Sequence, residues 1–105
     1  MQFLGECRMV EVKHRCGCIE IVGHAGYAEY GQDIVCAAIS ALTQVFVASV
    51  EELTEDNIKY DMGAGNAFIA YGNLSERAQV LLDSFFLGIN MIAEEYPNNV
   101  QLTEH

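Results

Sequence analysis

The chain reads as an α+β protein of order ββαββα(β), with two helices packed on a mostly antiparallel sheet. Three observations predict this. Four short runs alternate apolar, often β-branched residues with polar ones; two long runs instead repeat apolar residues every three or four positions; and the order strand, strand, helix occurs twice.

Cys7 to Lys13 and Cys18 to Val22 are the first strands, joined at Arg15-Cys16-Gly17. From Asp33 to about Leu53 the period becomes helical, and the Asp33 carboxylate is suited to accept from an orphan N–H at the helix start. This helix is apolar nearly all round (Ile34, Ile39, Leu42, Val45, Phe46, Val50), so it must be covered on more than one face. It either sits centrally or takes part in an oligomer interface. Asn57 to Met62 and Asn66 to Tyr71 form a second strand pair around the turn Gly63-Ala64-Gly65. Asn73 and Glu76 have capping-box spacing ahead of a second helix. Its apolar residues, from Ala78 through Leu82, Phe85 and Ile89 to Tyr96, recur at three and four until Pro97 ends it. Val100 to Leu102 is a candidate short edge strand.

At 105 residues the chain is expected to form one domain, 1–105, large enough to hold a core without staples. Fifteen acidic residues against five basic give a net charge of −10. Such a chain repels phosphates, which argues against a nucleic-acid partner, and attracts a basic protein. The opening Met1-Gln2-Phe3-Leu4-Gly5-Glu6 lacks a basic n-region, and polar residues interrupt the apolar runs, which are expected to fall short of the roughly 20 residues of a membrane span. The expectation is a cytoplasmic protein with no membrane partner. There Cys7, Cys16 and Cys18 would be free thiols. His14, Cys16 and Cys18 offer three soft ligands at a hairpin tip, but no fourth follows, and neither a metal nor a cofactor is expected. The glycines at 23, 26 and 31 precede no Gly-Lys-Ser/Thr, so a nucleotide loop is not indicated.

Chemistry concentrates in Gly23-His24-Ala25-Gly26-Tyr27-Ala28-Glu29-Tyr30-Gly31-Gln32-Asp33-Ile34-Val35-Cys36-Ala37-Ala38. Peptide hydrolysis by a thiol needs a thiolate and an imidazole that first holds and then returns a proton. His24 ends a strand, Cys36 falls in the first turn of a helix, and a glycine-rich loop joins them. At a helix start, exposed N–H groups and the helix dipole favour a thiolate and could hold an oxyanion. Ser40, one turn on, shares the face of Cys36. Asp33 either orients the site or only caps the helix. Taken singly, a cysteine among alanines is a small core hydrophobe and Ser40 a packing residue; the pair in its glycine-rich frame points to a cysteine protease.

This block closely resembles the signature of the ribosomal-processing cysteine proteases of the Prp family, most closely over Gly23 to Ser40. The resemblance implies an endopeptidase that removes a short N-terminal extension from a large-subunit ribosomal protein, cutting after an aromatic residue in an apolar stretch. The positions matching the catalytic pair are His24 and Cys36. Gly23, Ala25, Gly26, Tyr27 and Tyr30 would belong to a loop covering the substrate, and the resemblance also points to a homodimer. The tip His14-Arg15-Cys16-Gly17-Cys18 departs from the Asp/Gly turn expected of the family. Two other classes use the same residues: a non-catalytic ribosome-assembly module that binds through the Cys-His loop, and a redox sensor built on Cys36.

Overall fold

The computed structural model describes residues 10–23, 34–63 and 66–104. Strands β1 (Val10–Arg15) and β2 (Cys18–Val22) precede helix α1 (Ile34–Leu53); β3 (Ile58–Gly63) and β4 (Asn66–Tyr71) precede α2 (Glu76–Glu95); β5 (Val100–Glu104) closes the chain. The strands form one sheet of order β3-β4-β2-β1-β5. All neighbours are antiparallel except β1 and β5, which run parallel with Val10 opposite Val100. The predicted α+β class is therefore observed, with a mixed sheet.

Side chains alternate across this sheet because each strand has a period of two. Val10, Val12, Ile19, Ile21, Ile69 and Val100 point to one face and are buried with α1 and α2. The other face carries Glu11, Lys13, Glu20, Lys59 and Asp61 around a half-exposed Phe68. Helix α1 buries Val35, Ile39, Thr43, Phe46, Val47 and Val50, and α2 buries Ala78, Leu82, Phe85, Phe86 and Ile89. The helices meet where Phe46 packs at 5.2 Å, centroid to centroid, from Phe85.

One expectation about α1 needs correction. It is long and apolar enough by length and composition to cross a membrane, with an 18-residue window of mean hydropathy 1.8, where the apolar runs were expected to fall short. In this fold a third of that window is buried. Within one chain the helix is not covered all round: Ile34 and Val45, on the side away from the sheet, are 62% and 61% exposed, so of the two expected placements it is not the fully central one.

The first helix turn of α2 corrects a second expectation. Ser75, not Asn73, is the N-cap, and its Oγ accepts from the Ala78 N–H at 3.2 Å. Asp56 selects it, since Oδ2 accepts from the Ser75 N–H at 2.8 Å and Oδ1 from the Ser75 hydroxyl at 2.6 Å. Arg77 Nη1 in turn donates to the Leu53 carbonyl at the end of α1, at 3.1 Å. The two Ser75 hydrogen bonds hold the Asp56 carboxyl below its ordinary 3.8. A carboxyl lowered by folding contributes stability above pH 3.8 that is lost as pH falls through its folded value. Asp56→Asn should therefore unfold at lower temperature than wild type at neutral pH, and the gap should narrow below pH 3.8. A constant gap in melting curves from pH 7 to 2.5 would contradict this.

The β1–β2 hairpin turns at Cys16 and Gly17, where Gly17 has φ +79°. Its carbonyl accepts from the Tyr71 N–H at 2.9 Å, and a Cβ there would come 3.0 Å from the Tyr71 carbonyl oxygen. Gly17→Ala combines a left-handed backbone with a clash against main chain, and should cost about 1–2 kcal/mol in urea or thermal unfolding. An unchanged midpoint would remove this tip from the stabilising contacts.

Candidate active site

One end of the sheet opens into a groove of about 590 Å³ beneath the first half of α1. Its floor is a row across the strands, Met62, Ala67 and Ile21, which the antiparallel register places opposite one another. Val10 and Gly23 extend the floor, and Ile39 and Thr43 of α1 face it. Thr43 is buried but satisfied, its hydroxyl donating to the Ile39 carbonyl at 2.7 Å. The small side chain at Ala67 and the missing one at Gly23 leave the groove open.

Cys36 is the third residue of α1 and lines this groove. It is half-buried against the core. No acidic residue occupies the first turn of α1, and the positive end of a helix favours an anion such as a thiolate. Ser40 and Gln44 follow Cys36 at one and two turns, both lining the groove, and Gln44 Nε2 donates to Ser40 Oγ at 3.0 Å. Gly23, immediately before His24 in the chain, has φ +104°, a conformation that favours glycine.

Of the residues expected at the site, the fold brings Gly23, Cys36 and Ser40 together around one groove. His24, Ala25, Gly26, Tyr27, Tyr30 and Asp33 lie outside the described residues. Sequence reasoning missed Thr43, Gln44, Met62, Asn66 and Ala67. Gln44 carries a readable signal, since its spacing of eight from Cys36 places it on the same helical face.

The hairpin tip at the opposite end of the sheet forms a separate polar group. His14 Nε2 lies 2.6 Å from the Tyr71 hydroxyl, and Nδ1 lies 3.6 Å from Glu104 Oε2. The imidazole also stacks 4.4 Å from the Phe86 ring. Burial pushes the Tyr71 phenol up, with the nearby Cys16 thiol adding to the shift, so Tyr71 keeps its proton. His14 thus ties β1 to β4, β5 and α2.

The family profile described as cysteine protease Prp matches residues 6–101. The ribosomal processing cysteine protease Prp of Staphylococcus aureus (strain Mu50 / ATCC 700699) is 36% identical over 83 residues, covering 76% of this chain and 78% of that protein. The crystal structure of an essential ribosomal processing protease Prp from S. aureus, with a covalently linked product peptide, superposes with a TM-score of 0.87. It has 27% identity and covers 92% of this chain and 100% of that one. The same S. aureus protease with a substrate peptide gives a TM-score of 0.82, at 26% identity and the same coverage. An α+β fold with a thiol at a helix start above a groove, matched to peptide-bound relatives, is that of a cysteine protease. Within that class, the chain belongs to the ribosomal-processing protease family Prp.

Proposed function

We propose that this protein is the endopeptidase that removes a short N-terminal extension from a basic large-subunit ribosomal protein, with Cys36 as nucleophile and His24 as its base and acid. The observation that carries the proposal is the placement of Cys36, on the first turn of α1 and on the wall of the groove. His24 takes the thiol proton, and the Cys36 thiolate attacks the scissile carbonyl to form a tetrahedral intermediate. N–H groups at the start of α1 hold its oxyanion. The C–N bond then breaks, His24 protonates the leaving amine, and a thioester remains on Cys36. Water, deprotonated by His24, hydrolyses that thioester and frees the enzyme.

Ser40 lines the site, Asp33 orients it or caps the helix, and the segment holding Gly23 to Tyr30 covers the peptide. The substrate's positive charge suits a chain of net charge −10, and nucleic acid is not a partner. A ribosomal substrate supports a cytoplasmic enzyme. The protein acts as a homodimer, a reading supported by the exposed apolar side chains Ile34 and Val45 on α1 and Leu87 and Met91 on α2.

Incubation with an N-terminally extended ribosomal protein, followed by mass measurement, tests the proposal. The expected products are the mature protein and a short peptide carrying the extension. An intact substrate after prolonged incubation at micromolar enzyme would refute it.

A further inference from the structure

The groove runs past Cys36 along α1, and its polar edge plays no part in the chemistry above. Gln44 is exposed on that edge, and its amide is fixed by donation to Ser40 Oγ at 3.0 Å. Its Oε1 accepts no hydrogen bond among the described residues. Across the groove from it, β3 and β4 present the apolar Met62 and Ala67, with Asn66 at the strand end beside them. A preset acceptor beside an apolar channel suits an N–H of an extended chain lying in that channel. The helix rises about 1.5 Å per residue, so Gln44 stands about 12 Å along the axis from Cys36. An extended peptide advances about 3.3 Å per residue, so this span corresponds to three or four peptide residues.

We propose that Gln44 is a substrate-binding residue, accepting a hydrogen bond from a backbone N–H of the peptide three or four residues from the scissile bond, in a subsite shared with Met62. The inference rests on Cys36 being the nucleophile. At that distance Gln44 touches no reacting atom, so its loss weakens substrate binding and leaves the chemical step alone. One neutral hydrogen bond corresponds to about a 3- to 10-fold change.

The test compares cleavage of two peptides with the same scissile sequence, one with six residues on each side and one with two. Gln44→Met keeps the length of the side chain and removes the acceptor, whereas Gln44→Glu keeps an acceptor. Gln44→Met should raise KM for the long peptide about 3- to 10-fold with kcat nearly constant, Gln44→Glu should recover most of that loss, and neither variant should change KM for the short peptide. Equal effects on both peptides, or an effect on kcat alone, overturn the assignment. Binding of the long peptide to Cys36→Ala, with and without Gln44→Met, asks the same question with no chemistry; weaker binding of the double variant supports the subsite and equal binding rejects it. Cleavage of either peptide by Cys36→Ala instead defeats the proposed function, and no binding at all defeats both.

Discussion

Replacing Cys36 by alanine is expected to reduce cleavage of an extended ribosomal protein by at least about 10⁴-fold, because the covalent route is lost and only binding and the oxyanion site remain. The fold should survive. Cys36 is half-buried at the edge of the core, and losing one sulfur atom there should cost only about 1 kcal/mol. The pair of measurements is therefore turnover by mass spectrometry and melting by circular dichroism on the same preparation. Substantial turnover by a folded Cys36→Ala protein would remove the thiol from the mechanism and leave the groove as a binding surface.

The largest effect on stability should come from Phe85→Ala. Phe85 is 3% exposed, with Phe46 of α1 at 5.2 Å and Phe86 at 5.0 Å, the latter edge-on. Truncation removes the ring that joins the two helices and leaves a cavity under both, for an expected loss of about 3–5 kcal/mol. In a domain of this size that corresponds to a fall of roughly 15 °C or more in Tm. A drop of under about 5 °C would mean that the helix pair collapses onto the vacancy and that the sheet, not the helix contact, dominates the core.

The parts legible in the sequence were those set by local period. The alternation in Cys18 to Val22 is the strand β2, and the three-and-four spacing of Leu82, Phe85, Phe86 and Ile89 is the buried face of α2. The strands predicted over Asn57 to Met62 and Asn66 to Tyr71 match β3 and β4 to within a residue. Cys36 could be placed in a first helical turn because the apolar run begins just before it. Where the reading failed, the deciding contact was distant in sequence. Asn73 and Glu76 have the spacing of a capping box, but Asp56, nineteen residues before Ser75, holds Ser75 by both backbone and side chain and so decides the cap. Likewise Met62 and Ala67 meet Ile21 in the groove only through the pairing of β3, β4 and β2, which no local pattern reveals. The apolar circumference of α1 was legible as composition, but whether its cover comes from the same chain or from an oligomer was not, and Ile34 and Val45 receive little from the chain itself.

The parallel pairing of β1 with β5 governs when this molecule can become itself during synthesis. Val10 lies opposite Val100, so β1 waits for the far end of the chain before its second side is zipped. A ribosome that has made everything up to α2 holds a nascent chain whose β1 still presents an open edge beside a finished hairpin. Long-range closure of this kind slows folding relative to that hairpin and leaves an interval in which the edge can pair wrongly. The groove that holds Cys36 includes Val10, the first residue of that same strand. Completion of the groove is thus tied to the emergence of residues 100–104.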